Sequence, residues 1–221
     1  AIRSRSDHDT VQWVGHSMGG LLLYCYGIMQ PDAPIERGLT IASALDYRVG
    51  ATGFKPLLKI RPALERIGVV PWGTFIHLLA PALGRGIPLE GFNVWPSNLE
   101  PHLIRRLHAR AFHSIPMSLL ASLATTFEDE GIRLNDGFRF LPHANNLEFP
   151  IRMLAGSRDM QVSVPAIENT AKLIGANATV RLHGVAHGDA DEYGHFALIL
   201  GRNAPTEVWP GIAEWLESNS P

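Results

Sequence analysis

The chain has 221 residues, 46% hydrophobic and 18% charged, with 19 Lys and Arg against 21 Asp and Glu for a formal net charge of -2. That composition belongs to a globular protein long enough to bury a substantial core, and the near-balance of charge argues against nucleic acid, a membrane surface or a polyanion as its main partner. The single Cys25 excludes an intrachain disulfide, and the longest apolar stretch, residues 75–83, contains His77 and Pro81 and is too short for an integral membrane segment.

Residues 1–9 read as the tail of a helix and a loop, with no secretory pattern, which points to the cytoplasm. Val11, Trp13 and Val14 then give strand character that runs into Gly15-His-Ser-Met-Gly-Gly20, and an unbroken apolar run over residues 21–29 follows, stopped by Gln30-Pro31-Asp32. A strand, a serine flanked two residues away by Gly15 and Gly19, and then a helix make the nucleophile-elbow pattern. The backbone turns so sharply that the flanking positions lack room for bulk, and Ser17 is lifted to the carboxyl end of the sheet. The backbone N–H of the next residue, Met18, is placed to donate to a developing oxyanion, aided by the positive end of the helix. Cys25 falls on that helix as a small apolar residue.

Residues 37–45 form a run of small and β-branched residues that fits a buried parallel strand ending at Asp46. From residue 47 to about residue 146 prolines punctuate short apolar segments, and helices are expected over residues 57–67, 72–83, 99–113 and 117–128 as an inserted cap. Strand–helix alternation resumes with a strand over residues 151–156, a helix from about Pro165 to Ile174 stopped by Gly175, and a strand over residues 179–184. A final helix over residues 206–216 places Trp209, Ile212, Ala213 and Leu216 on one apolar face, with Pro210 in its first turn. The division is therefore a core over residues 1–46, a helical cap over 47–146 and a second core portion over 147–221, an α/β protein with a mostly parallel sheet, flanking helices and no sign of the early strands.

A serine hydroxyl is a weak nucleophile, so Ser17 requires a histidine to take its proton and a carboxylate to orient that histidine. Asp159, in the loop after the strand at residue 151, and His195, after the strand at residue 179, fall at the same sheet edge and in the order serine, acid, histidine. His195 is favoured over His187 because Tyr-Gly-His-Phe leads directly into the apolar run at residues 196–200. His183 reads as a core or sheet-face residue, and His16 as packed behind the elbow, with an oxyanion or substrate contact as the alternative. Asp46 is the rival acid. Asp189, Asp191 and Glu192 read as a solvated acidic turn, and no helical pair or cysteine set supports a metal site with His187, so no metal and no cofactor is expected.

Three segments, Gly15-His-Ser-Met-Gly-Gly20, Gly156-Ser-Arg-Asp159 and Tyr193-Gly-His-Phe196, with the tail over residues 200–216, resemble the α/β-hydrolase superfamily, in particular its lipase, esterase and serine-aminopeptidase-like members. The resemblance covers both ends of the chain, and the cap matches only by position. It implies a doubly wound fold and a catalytic triad of Ser17, Asp159 and His195 acting through an acyl-enzyme. Nothing in the sequence corresponds to the family's early strands or to the loop that supplies a second oxyanion donor, so Met18 would act alone, at a cost of roughly 3 kcal/mol in transition-state stabilisation. The nucleophile strand would then lie at the sheet edge. The chain is accordingly expected to be the C-terminal two-thirds of a longer enzyme or a truncated gene product.

The leading expectation is hydrolysis of a small-molecule carboxylic ester. Phe75, Ile76, Leu78, Leu79, Phe92, Trp95, Phe112 and Leu120 either line an apolar acyl pocket or form the cap's own core. The same triad could cleave an amide or peptide or transfer the acyl group to an alcohol, and a non-catalytic hydrolase-like protein is the alternative of a different class. The sequence sets no oligomeric state.

Overall fold

The structure is a computed structural model that describes residue 5 and residues 7–54, 68–85 and 88–218. Most of the lead-in and the whole helix expected over residues 57–67 lie outside the described residues. Strand β1 (Val11–His16) passes through Ser17 into helix α1 (Met18–Met29), and β2 (Ile35–Ile41) returns parallel to β1. The strand expected to reach residue 45 ends at Ile41, because Ala42 takes a left-handed φ of 51 that turns the chain out of the ladder. Residues 42–46 then form a buried turn whose Leu45 and Asp46 amides donate to Thr170 Oγ1 at 3.0 and 3.2 Å.

The region expected as a cap is mostly short helices, as its prolines imply. Helices α2 (Trp72–Leu79), α3 (Pro101–Arg110) and α4 (Met117–Ala124) alternate with short 3₁₀ segments, three of which lie between α2 and α3 and one directly after α4. Unexpected is a two-residue antiparallel pair, β3 (Val69–Val70) with β4 (Ile115–Pro116), too short to show any alternation in sequence. Leu83, Val94, Leu99, Ile104 and Leu107 make a small buried cluster here, each contributing roughly 1.5–3 kcal/mol by burial.

The second core portion holds β5 (Ile151–Gly156), α5 (Val164–Ile174) and β6 (Ala178–His183), then short α6 (Ala197–Leu200) and α7 (Ala204–Glu207), and α8 (Trp209–Glu217). Ser163 caps α5 by accepting from the Ala166 amide, Pro165 occupies its first turn, and Gly175 at φ 88 stops it. The expected single C-terminal helix is instead broken at Val208. Pro210 has no N–H to continue the ladder, so the apolar face becomes Val208, Ile212 and Trp215, and Trp209 is 47% exposed.

The sheet order is β1-β2-β5-β6, all parallel. Alternate side chains of β2 and β5 feed two cores, as parallel strands covered on both faces must. Ile151, Met153 and Ala155 join Leu23, Tyr24 and Ile167 on the α1 and α5 side, while Leu39, Ile41 and Leu154 meet Tyr193, Leu198 and Val208 on the other. Among the described strands β1 lies at one edge, as expected, and β6 at the other. The carboxyl ends of β1, β5 and β6 lead into the loops that hold Ser17, Asp159 and His195.

Candidate active site

The serine turn is built by crowding. Ser17 has φ 53 and ψ -118, a conformation costing about 1–3 kcal/mol for a residue with a side chain. Its amide is held to Ile41 O at 2.8 Å, and its carbonyl accepts from the Gly20 and Leu21 amides. A Cβ on Gly15 would meet the Gly19 carbonyl carbon at 2.4 Å, so only glycine fits there. At Gly19 itself a Cβ would meet nothing within 4 Å, and the second crowded position is Gly20, where it would lie 2.6 Å from Ser43 Cβ. The expected lack of room thus holds at Gly15 and not at Gly19, because it is the Gly19 backbone, not its missing side chain, that closes the turn.

Ser17 sits at the N-cap of α1, where a serine hydroxyl ordinarily accepts a backbone N–H. The strained turn prevents this. Its side chain makes no capping bond, and among the described residues neither Ser17 Oγ nor the Met18 amide is engaged in a hydrogen bond. Both groups remain uncommitted at the helix N-terminus.

Asp159 and His195 are brought together. Asp159 Oδ2 accepts from His195 Nδ1 at 2.9 Å, with side chains only 0% and 1% exposed. The other carboxylate oxygen, Oδ1, accepts from the Gln161 and Val162 amides at 2.8 and 3.0 Å, so the carboxylate cannot rotate. With Nδ1–H given to the acid, the neutral imidazole presents Nε2 as an acceptor. His16, adjacent to Ser17, joins the elbow to this pair: its ring lies 4.7 Å from the His195 ring and 4.9 Å from Phe196, and its Nε2 donates to His195 O at 3.1 Å. Burial, and then the neighbouring His195, lower its pKa to about 4, so it stays neutral beside His195.

The rivals are otherwise occupied. Burial alone would raise the Asp46 carboxyl, but bonds from Arg48 and Asn169 more than offset this and hold it below its ordinary value. His187 is exposed. His183 is buried, as its strand position implies, and its Nδ1 faces Asp189 Oδ2 at 3.2 Å. Asp189 is therefore not part of a solvated turn, since it also accepts from the Gly184 amide at 2.7 Å. Glu192 likewise turns inward, accepting from Ser157 Oγ and pairing with Arg158 at 3.6 Å. Of His187, Asp189 and Asp191, which lie close enough in sequence to be weighed as a ligand set, the first is exposed, the second is bonded to His183 and the third accepts from Ser97 Oγ at 2.9 Å, and among the described residues no cluster of His, Cys, Asp or Glu could hold a metal ion.

Sequence reasoning missed the residues that fasten these loops. Gln161 donates through Nε2 to Asn93 Oδ1 at 2.9 Å and to Phe92 O at 3.1 Å, and the Phe196 amide donates to Asn93 O at 2.9 Å. Asn93 Nδ2 in turn donates to His108 Nε2 at 3.0 Å, and His108 Nδ1 donates to Ile104 O at 2.7 Å. Asn93 thus ties together the loops that carry Asp159 and His195. Of the eight apolar residues weighed as an acyl lining, Phe112 approaches the site through Phe196, Ile76 is fully buried, and Leu78 is 77% exposed.

No family model matches the sequence, and no curated protein matches it. Solved structures match in fold. A monoacylglycerol lipase from Paleococcus ferrophilus superposes with a TM-score of 0.62 at 16% identity, over 94% of this chain and 68% of that one. A hydrolase from Oleispira antarctica gives 0.60 at 15% identity, over 96% and 67%. A thermophilic esterase from Thermogutta terrifontis gives 0.55 at 17% identity, over 94% and 65%. This chain spans no more than 68% of the length of any of the three. No helix among the described residues is long and apolar enough to cross a membrane. A parallel sheet covered by helices on both faces, with its serine on the turn from β1 into α1, and these structural neighbours together show that the chain has the α/β-hydrolase fold.

Proposed function

We propose that the chain carries the triad of a serine hydrolase acting on carboxylic esters. The observation that carries this reading is the buried 2.9 Å contact between Asp159 and His195, linked through the His16 ring to a serine whose hydroxyl is free. In the reaction Ser17 Oγ attacks the acyl carbon while His195 Nε2 takes its proton, and Asp159 compensates the imidazolium that forms. The Met18 amide donates to the oxyanion of the tetrahedral intermediate. Collapse breaks the ester C–O bond, the alcohol leaves with the proton from His195, and a water activated by the same imidazole hydrolyses the acyl-enzyme. No step calls on a cofactor.

An ester rather than an amide is favoured by the esterase and lipases among the structural neighbours. Phe112 against Phe196 puts apolar surface beside the imidazole, which suits an aliphatic acyl chain. The residues before β1, the second oxyanion donor and the division at residues 46 and 146 belong to the same proposal: a two-part core carrying an inserted cap. A fluorophosphonate probe tests it. Covalent labelling is expected at Ser17 and lost in Ser17→Ala and His195→Ala, with activity on p-nitrophenyl esters that exceeds activity on aminoacyl anilides. A folded protein that takes no label refutes the enzyme reading. Preference for the anilides refutes the ester.

A further inference from the structure

A second, chemically distinct recess lies on the opposite flank of the sheet from the serine turn. Strand β6 is an edge strand, and its alternation divides it sharply. Ala178, Val180 and Leu182 pack toward the α5 side, so Thr179, Arg181 and His183 share the other face, beside Arg152 and Leu154 of β5 in register. On a face to be covered by a helix these positions would be apolar. They are polar here, and a groove of about 370 Å³, with Arg181 exposed and His183 buried at its floor, runs between β6 and Val208, Gly211 and Glu214.

Two arginines, Arg152 and Arg181, and two glutamates, Glu207 and Glu214, line the groove, and among the described residues no ion pair joins them. Among the described residues the guanidinium groups of Arg152 and Arg181 make no hydrogen bond or ion pair, that of Arg152 resting 4.5 Å over the Trp215 ring. Glu207, on the wall, is turned away from the arginines by its bonds, accepting from the Ala190 amide at 2.8 Å and from the Tyr193 hydroxyl at 2.5 Å. Glu214 stands exposed. His183 is only 3% exposed at its side chain, and its Nδ1 proton is committed to Asp189 Oδ2 at 3.2 Å. A neutral imidazole so held offers Nε2 as an acceptor, and among the described residues no donor meets it. Burial keeps this imidazole neutral, lowering its pKa from the ordinary value.

We propose that this groove binds a small oxyanion that also carries a hydroxyl, either a monoprotonated phosphate group or a 2-hydroxycarboxylate. The anionic oxygens meet the guanidinium groups of Arg152 and Arg181, which favour planar two-oxygen contacts, and the ligand hydroxyl donates to His183 Nε2. A bare carboxylate fits less well, because its oxygens would face the imidazole lone pair with no proton between them. The site is separate from Ser17 and does not depend on the reaction proposed there.

The test is a titration of the isotopically labelled chain followed by amide chemical shifts, using inorganic phosphate, glycolate and acetate as probes. Saturable shifts are expected at residues 181, 183 and 211 with phosphate or glycolate, at affinities on the order of millimolar, and the stronger of the two identifies the source. Acetate is expected to bind at least about threefold more weakly. Arg181→Gln, at an exposed position, should weaken binding roughly tenfold. Gly211→Leu should abolish it by filling the groove, since a Cβ there meets nothing within 4 Å and the fold is not crowded by the change. Shifts scattered over the surface, or binding unchanged in Arg181→Gln and Gly211→Leu, overturn the site. Acetate binding as well as glycolate overturns the role given to His183.

Discussion

Asp159→Asn removes one charge and almost no volume, and the structure dictates what else it changes. Oδ1 of Asp159 accepts two backbone amides, from Gln161 and Val162, at 2.8 and 3.0 Å. The asparagine oxygen must stay at that position, since turning it away would aim the amide NH₂ at two donors. The NH₂ group then occupies the place of Oδ2, 2.9 Å from His195 Nδ1, and offers a donor where an acceptor stood. The imidazole responds by carrying its proton on Nε2, the tautomer that cannot take the serine proton. A loss of about 10⁴ in kcat is expected for such a swap, which is about 5.5 kcal/mol of transition-state stabilisation at about 1.4 kcal/mol per decade. KM for a p-nitrophenyl ester should change little. The measurement is steady-state kinetics on enzyme shown by its urea midpoint to be folded, with Asp46→Asn in parallel. Asp46 is tied to Arg48 and Asn169, so its substitution is expected to cost stability and less than about tenfold in kcat. If Asp159→Asn keeps more than about a tenth of the activity, or Asp46→Asn loses as much, the assignment of the acid is wrong.

The serine turn makes an asymmetric prediction about its glycines. Gly15→Ala drives a Cβ into the Gly19 backbone and should destabilise by about 2 kcal/mol or more and abolish labelling of Ser17, whereas Gly19→Ala, with open space on an α-helix, should be neutral or stabilise by up to about 1 kcal/mol; thermal melts that rank them the other way refute the packing argument. Acidification should weaken the fold through His16. Its folded pKa of about 4 lies below the ordinary 6.5, so the unfolded chain takes the proton first, and stability, full above about pH 6.5, falls by up to about 1.4 kcal/mol per pH unit until about pH 4. Urea midpoints between pH 7.5 and 4.5 should show this slope flattened in His16→Phe, and stability that rises on acidification contradicts the sign. Asn93→Ala leaves Gln161 and His108 without their amide partner, and about 1–3 kcal/mol of stability should go with a drop in kcat. A loss of stability with kcat unchanged in the folded fraction refutes a positioning role for Asn93.

Much of this was legible because it is written locally. A strand, a strained serine and a helix occupy one continuous stretch, and the near-continuous apolar run of residues 151–156 and the alternation in residues 178–183 report two-sided and one-sided burial directly. The order of serine, acid and histidine follows from which loops leave the carboxyl ends of the strands. The features that escaped are non-local or turn on a single bond. The two-residue β3–β4 ladder has no period to detect, and the split of the last helix depends on one missing N–H at Pro210. Asp189 looked solvated because its partner, the ring of His183, is brought back to it only by the turn at Gly184. Asn93 and Gln161 are 68 residues apart, and neither stands in a recognisable motif.

The Asn93 contacts bear on how such a protein can be rebuilt. A cap is commonly imagined as a detachable module, yet residues 92–98, within the cap proposed above, grip the loops of Asp159 and His195 through Phe92, Asn93, Ser97 and Asn98. A chimera that exchanges residues 47–146 wholesale removes those handholds and should inherit a slack histidine along with its new specificity. One that keeps residues 92–98 and grafts on either side of them retains a taut one. On the proposed division, the functional seam between scaffold and selectivity therefore runs deep inside residues 47–146, more than forty residues from either boundary.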